Sequence, residues 1–334
     1  MLFSKDIGID LGTANVLIYE KGKGIVLEQP SVVAKDAHTG KIITAGEEAR
    51  EMIGRTPGKI EVIRPMKDGV IADIEATEQM LKKFINAVAI KGFFSHPSIM
   101  ICCPTNITLV EKNAIREAAE KCGAREVIIE EEPKIAALGA GMDISKPSGN
   151  MIIDIGGGTT DIAVLSLGDI VTSTSIKVAG NRFDQDIVDY LKLNYKLLIG
   201  ERTAEEIKTQ VATVYPEGRE EELQVRGRDL ISGLPRTITI SSAEVEEALR
   251  ESVRVMVHAT KTVLEQTPPE LSADIMNKGV VLTGGGALLH GLDRLLADEL
   301  HVPVFVADNA LHCVAIGTGI MLDHIDSLRR RNKL

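Results

Sequence analysis

Two stretches of the chain, nearly half its length apart, carry the same pattern of apolar and polar positions. Residues 7–19 read IGIDLGTANVLIY, and residues 152–165 read IIDIGGGTTDIAVL. Each is an apolar run ending in aspartate, a turn of glycine and threonine, and a second apolar run. Runs with no polar alternation fit strands covered on both faces. Each segment therefore predicts a buried hairpin, and the pair predicts a duplicated α/β domain whose two turns face each other across a cleft. The plainer alternative is that two short hairpins match by chance.

Helical signals fill the spaces between. Thr108 and Glu111 have the spacing of a capping box, which opens a helix through Ile115, Ala118 and Ala119, with Gly123 as its stop. Pro133 sits where a first helical turn tolerates proline, ahead of Ala136, Ala137 and Leu138. A second box, Ser241 and Glu244, opens a longer helix with apolar positions at Val245, Leu249, Val253, Met256, Val257 and Val263. Pro268 and Pro269 end it. Gly279 to Leu282 reads as a short buried strand running into Thr283-Gly284-Gly285-Gly286 and a helix through Leu288, Leu292, Leu295 and Leu296. Strand, glycine turn and helix in that order indicate α/β architecture. The stretch 214–237 is rich in Glu, Arg and Gly and reads as a surface excursion. The end, Arg329-Arg330-Arg331-Asn332-Lys333, reads as a solvated tail, or alternatively as a contact with lipid headgroups.

Composition narrows the function. A chain of 334 residues has room for two domains or one large one. Aromatics are 3% and Trp is absent, so the core must be aliphatic. The formal net charge of −10 argues against a general nucleic-acid surface. Cys102, Cys103, Cys122 and Cys313 form no CxxC pair, which disfavours a disulfide framework or zinc site and fits a reducing cytosol. Asp6 and Asp10 interrupt any leader-like start. No apolar run approaches the ~18 residues of a spanning helix.

The glycine turns suggest phosphate chemistry. In Asp10-Leu11-Gly12-Thr13-Ala14-Asn15, glycine lets backbone N–H groups approach phosphate oxygens, Thr13 and Asn15 add donors, and Asp10 suits Mg²⁺ directly or through its waters. Alone, this string is equally well a structural turn. In Asp154-Ile155-Gly156-Gly157-Gly158-Thr159-Thr160-Asp161, a tight hairpin needs only one or two glycines, so three suggest backbone wrapped against a ligand, with Asp154 facing Asp10. Thr283-Gly284-Gly285-Gly286-Ala287 is expected to open a helix whose N-terminus favours anions. Glu130-Glu131-Glu132 precedes Pro133; such carboxylates often only complement a helix dipole, but one beside a γ-phosphate can orient attacking water. Neither a Walker A loop nor a dinucleotide fingerprint is present.

The order of these motifs, followed by Ala315-Ile316-Gly317-Thr318-Gly319, resembles the actin, heat-shock-protein-70 and sugar-kinase superfamily. Within it the chain is most similar to the bacterial actin MreB family, including its Mbl relatives. The strings EQPSVVA (28–34), IRPMKDGVIAD (63–73), LIGERTAEEIK (198–208), GLPRTI (233–238), TPPELSADI (267–275) and VLTGGGALL (281–289) extend the match over nearly the whole chain. The resemblance implies an actin-type fold: two related RNase H-like domains flanking a nucleotide cleft. Domain I is expected at 1–144 plus 315–334, with a small subdomain at about 32–63; domain II is expected at 145–314, with one at about 180–256. It implies that ATP is held by Gly12, Thr13, Ala14, Asn15, Gly156, Gly157, Gly158 and Thr159, with Asp10 and Asp154 organising Mg²⁺. Glu132 and Thr159 match the residues that position the hydrolytic water. Glu205 and Lys208 match those gripping ribose and adenine, and Gly284, Gly285, Gly286 and Ala287 those against the nucleoside. One extra glutamate stands before the Glu-Pro pair here, which leaves Glu131 as a minor alternative to Glu132.

The family also implies slow ATP hydrolysis coupled to polymerisation into filaments on the inner face of the cytoplasmic membrane, with cell-wall elongation and membrane shape proteins as partners. Phe93 and Phe94 sit in a loop-like run. Sequence alone favours both rings folding into the core, whereas the resemblance makes them a membrane tip, joined by Leu2 and Phe3. Burying two Phe side chains is worth roughly 3–6 kcal/mol, about millimolar binding for one subunit after immobilisation. A filament would gain by avidity. A chaperone ATPase or a small-molecule kinase would share the turns, but the first needs a substrate-binding domain and the second an acceptor pocket, and the sequence shows a motif for neither.

Overall fold

The computed structural model describes residues 6–88, 97–105, 107–215 and 218–331. Two five-stranded sheets carry the molecule, and they share one topology. In the first, the order is Glu126–Glu131, Ser98–Cys103, Ile7–Leu11, Asn15–Glu20, Gly24–Pro30. In the second it is Val304–Val306, Val280–Thr283, Asn150–Ile155, Thr160–Ser166, Asp169–Ile176. Each has three parallel strands followed by an antiparallel meander. Even an irregularity is copied, since the last pair of each meander shifts register, at Ile18/Tyr19 and at Val164/Leu165. The repeat read from two short strings is thus a repeat of whole sheets.

Alternation along the strands assigns the faces. Ile7, Ile9 and Leu11 pack with Ile99, Ile101 and Cys103 beneath the helices Ile74–Val88 and Leu109–Lys121. Met151, Ile153 and Ile155 do the same in the second half, with Phe183, Ile187, Leu249 and Val253. The opposite faces supply Met100, Cys102, Ile152, Ala163 and Leu165 to a central cluster with Ile135, Ala136, Ala137, Val314 and Leu322. Asp10 and Asp154 fall on this inner register, each one residue short of its strand's end.

That central cluster contains the two helices through which the chain passes between the sheets, Glu132–Gly139 and Cys313–Arg331. Their crossing is closer than side chains allow. A Cβ on Gly139 would lie 1.8 Å from the Cys313 carbonyl oxygen, and one on Gly317 would lie 2.0 Å from that of Ile135. Gly8 likewise leaves room for Thr318, whose hydroxyl donates to the Ala315 carbonyl at 2.6 Å.

Both capping boxes form as expected, at Thr108–Glu111 and Ser241–Glu244. Three expectations are corrected. The segment 214–237 contains strand Glu222–Asp229 and the start of strand Pro235–Ser241, which pair with Leu197–Leu198 into a small sheet. Glu222, Arg226 and Arg228 occupy the outer positions of a strand with one buried side, so composition hid the alternation. The run Thr283 to Gly286 opens only a 3₁₀ turn, Gly285–Leu288; left-handed Gly291 (φ 78°) then precedes the helix Leu292–Leu300. Finally, the helix from Cys313 continues through Arg331 where a tail was expected. The segment 32–63 holds a second small sheet of Ile42–Ala45, Val33–Asp36 and Ile60–Ile63.

Candidate functional site

The turns after Asp10 and Asp154 meet tip to tip between the two sheets. A Cβ on Gly157 would lie 2.6 Å from that of Ala14, and one on Gly158 would lie 2.7 Å from the Thr13 hydroxyl. Two of the three consecutive glycines are therefore required by the opposite turn, a reason the sequence reading did not foresee. The first turn is braced from outside: Ser31 donates its hydroxyl to the Gly12 carbonyl at 2.6 Å and its N–H to that of Ala14 at 2.8 Å. In the second, the Gly156 N–H bonds the Thr159 carbonyl at 2.9 Å. Helix Gly180–Asn194 then donates from Gly180 and Asn181 to the Gly156 and Gly157 carbonyls. Among the described residues, the N–H groups of Thr13, Ala14, Gly157 and Gly158 find no protein acceptor.

A third turn joins them. Between strands Met66–Lys67 and Val70–Ile71, Asp68 (φ 51°) and Gly69 (φ 75°) are both left-handed, as in a two-residue type I′ hairpin. The Gly69 N–H donates to the Thr13 hydroxyl at 3.3 Å, and a Cβ there would collide with the Thr159 methyl at 2.5 Å.

Four carboxyl groups gather behind these turns. Asp154 is 5% exposed and accepts from the Thr283 hydroxyl at 2.8 Å; Asp161, its cross-strand neighbour, is 1% exposed. Glu132 is 8% exposed at the start of its helix, and Asp10 is half-buried. Loss of water dominates their chemistry. Burial, then the charge of Asp154, pushes Asp10 up to about 8. Burial raises Asp154 to about 6, although Thr283 works against it. Glu132 is held well above the carboxylate range by burial and then by Asp161, Asp10 and Asp154. Asp161 is raised by burial and partly relieved by hydrogen bonds from Thr105, Ser175 and Thr159.

Such a cluster suits a cation better than it suits protons. Among the described residues no three acidic, His or Cys side chains converge to hold a metal by themselves. Mg²⁺ commonly takes one or two carboxylates and fills its octahedron with water and phosphate oxygens. Asp10 and Asp154, beside the two turns, are the carboxylates that would hold such an ion, with phosphate oxygens and water completing its shell.

The remaining expected residues fall around this centre. Asn15 opens the strand after the first turn. Lys208 is half-buried, 2.8 Å from Asp184 and donating to the Gly180 carbonyl at 3.1 Å, so it reaches the base of the second turn. Glu205, on the same helix, is exposed. Gly284 and Gly286 press on Ile155, with hypothetical Cβ atoms 2.4 Å from its carbonyl oxygen and 2.2 Å from its side chain. Gly285 is exposed and Ala287 is buried beneath. Glu132 joins the carboxylates; Glu131, half-exposed, is the helix N-cap residue and does not. Phe93, Phe94, Leu2 and Phe3 lie outside the described residues. No described helix is long and apolar enough to cross a membrane. Sequence reasoning missed Ser31, Thr105, Asp161, Asp184 and the Asp68–Gly69 turn; an Asp-Gly pair between apolar runs is a hairpin signal in its own right.

The family model described as MreB/Mbl protein matches residues 4–330. The chain is 68% identical over 330 residues to the cell shape-determining protein Mbl of Bacillus subtilis, covering 99% of each. It is 51% identical to the cell shape-determining protein MreB of Escherichia coli, covering 97% of this chain and 95% of that one. Among solved structures, MreB 5 of Spiroplasma citri bound to AMPPNP superposes with a TM-score of 0.94 at 42% identity, covering 100% of both chains. A MamK double helical filament superposes at 0.81 with 21% identity, covering 95% of this chain and 98% of that one, which shows the shared fold.

Proposed function

We propose, from the premise that this chain belongs to the MreB/Mbl family of actin-like cell shape-determining proteins, that it is a slow ATPase that polymerises on a membrane. The observation that carries the reading is the tip-to-tip meeting of two glycine turns over a cluster of buried carboxylates. The AMPPNP and ADP complexes of a relative 42% identical over nearly the whole chain support an adenine nucleotide as the ligand. The turns bind the phosphates through Gly12 to Asn15 and Gly156 to Thr159. Lys208 and Glu205 take the ribose and base, and Gly284 to Ala287 line the nucleoside. Asp10 and Asp154 would hold Mg²⁺, which when bound would neutralise charge on the triphosphate. Glu132 and Thr159 orient the attacking water.

The two sheets then belong to two domains, 1–144 with 315–334 and 145–314, which close on the nucleotide. Closure fixes the surfaces for head-to-tail association; a repeated contact that does not close generates a filament. The filament is cytoplasmic and lies on the inner membrane face through Phe93, Phe94, Leu2 and Phe3. Avidity there offsets a weak single anchor, and the filament organises wall synthesis with the elongation machinery. The test is to incubate the purified chain with Mg-ATP on a lipid monolayer and image it by negative stain. Filaments that need ATP are expected; nucleotide binding without polymer would reject the cytoskeletal reading. Glu132→Ala and Thr159→Ala should bind ATP yet release no phosphate, and normal turnover in both would reject the site. If Phe93→Ser/Phe94→Ser floats with liposomes like the parent, the anchor lies elsewhere.

A further inference from the structure

We propose that Asp184 is a positioning residue for the nucleoside, seating the Lys208 ammonium for the ribose and base; this rests on the role given to Lys208 above. Lys208 lies on helix Glu201–Val211 and reaches across to the start of helix Gly180–Asn194. Its ammonium stands 2.8 Å from Asp184 Oδ1 and donates to the Gly180 carbonyl at 3.1 Å. Residues 180 and 184 are one turn apart on one helix face, so they form a two-point seat. The side chains of Lys208 and Asp184 are only 18% and 16% exposed, so solvent screens the pair little. The Asp184 oxygen is buried and meets the ammonium off the hydrogen-bond axis, so charge rather than an aligned bond holds the lysine there. Left to its own helix, Lys208 would pair with Glu205, three residues earlier. Asp184 takes the lysine instead, and among the described residues no cation pairs with Glu205. Both proposed nucleoside contacts therefore keep a free side.

The seat also fixes a spacing. The Gly180 N–H donates to the Gly156 carbonyl at 3.1 Å, and the Asn181 N–H to that of Gly157 at 2.8 Å. Lys208 is thus anchored on the residue that braces the second glycine turn, so the separation between ammonium and phosphate-binding backbone is set through Gly180. The start of that helix carries the positive end of a dipole, which repels a cation; the Asp184 carboxylate offsets this. Burial raises the Asp184 carboxyl and the Lys208 charge opposes the rise, so each group sustains the other's charge. An ammonium has three donors and no acceptor. The Gly180 carbonyl and Asp184 occupy one side of it, which leaves a donor for a ribose hydroxyl or a base nitrogen. A triphosphate without a nucleoside would not use this contact. A plain tie between two helices would need no charges, since an apolar pair does that work without the loss of solvation.

The experiment compares the full chain with Asp184→Asn, Lys208→Ala and the Asp184→Asn/Lys208→Ala pair. With Mg²⁺ present, ATP and inorganic tripolyphosphate are each used to displace a fluorescent ATP analogue. Asp184→Asn is expected to weaken ATP roughly tenfold, the scale of one charge-assisted contact, while tripolyphosphate stays within about twofold. The double variant should bind ATP no more weakly than Lys208→Ala, because Asp184 acts only through Lys208. Unchanged ATP affinity in Asp184→Asn, an equal loss for both ligands, or losses that multiply in the double variant would overturn the proposal. If Asp184→Asn does not fold, Asp184→Ser is read in the same way, and the same outcomes overturn it. A parent chain that binds tripolyphosphate as tightly as ATP would reject the nucleoside role of Lys208 and this role together. A parent that prefers ATP, and loses that preference in Lys208→Ala but not in Asp184→Asn, would reject this role alone.

Discussion

The two turns at the centre of the molecule come from one topology and have diverged into complementary parts. The first carries side chains, since Thr13 and Ala14 project toward its partner; the second carries vacancy, since Gly157 and Gly158 receive them. Their aspartates differ too. Asp154 is tied to the Thr283 hydroxyl and raised to about 6, whereas burial and the charge of Asp154 raise Asp10 to about 8. Duplication alone would give two equal half-sites. Here one half ties its acid to a hydroxyl of the neighbouring strand, while the other half's acid is shifted by burial and by its partner's charge.

The largest effect should come from filling the vacancy. Gly158→Ala puts a methyl within 3 Å of Thr13, and Gly157→Ala does so against Ala14. Overpacking of this kind costs about 1–3 kcal/mol, or roughly ten- to a hundredfold in affinity for a fluorescent ATP analogue. If the turns are complementary, Ala14→Gly should restore much of the affinity lost in Gly157→Ala; no rescue would break the comparison.

Acidity offers the next test. Asp10 and Asp154 are raised from an ordinary 3.8, so between about 4 and 8 the folded, nucleotide-free chain holds protons that the unfolded chain has released. Stability is then highest on the acid side and falls as pH rises through that window. Melting curves of nucleotide-free protein from pH 5 to 8 should show this, and Asp10→Asn should flatten the slope more than Asp154→Asn. An equal change would erase the distinction between the two acids.

Thr283→Val removes the tie on Asp154. A hydrogen bond to a charged group is worth about 1.5–3 kcal/mol, so magnesium-dependent nucleotide binding should weaken by about tenfold, while magnesium-independent binding barely moves. The smallest effect concerns the rim, where Arg64 meets Glu201 at 3.3 Å, both partly exposed. Exposed pairs contribute about 0.2–1 kcal/mol, so Arg64→Ala should speed analogue release by a few-fold at most in stopped flow. A larger change would mean that the rim, rather than the turns, retains the nucleotide.

Much of this was legible beforehand where a residue type has one physical use. The capping boxes, the proline at the start of the Glu132 helix and the apolar strands carrying Asp10 and Asp154 stand where the pattern put them, each strand running one residue past its aspartate. What escaped depended on neighbours distant in sequence. The glycines at 157 and 158 answer to residues 14 and 13, and those at 284 and 286 to Ile155. Asp161 was passed over because a single acid in an apolar strand carries no sign of Thr105, some fifty positions earlier. The charged hairpin at 222–241 was read by composition, although Leu223 and Val225 alternate with charged or amide residues; its small sheet buries one side only.

The contact between the two linking helices has a mechanical consequence. At Gly139 and Gly317 the rods touch backbone to backbone, and Ile135, Ala136, Val314 and Leu322 pack around that contact. Such a joint resists being prised apart, because any widening gives up close-packed contacts that a glycine cannot refill. Glu132 occupies the first turn of one of these rods. A rotation of that rod would turn the Glu132 carboxylate with it, so under the proposed function the orientation of the two sheets and the aim of that acid would change together.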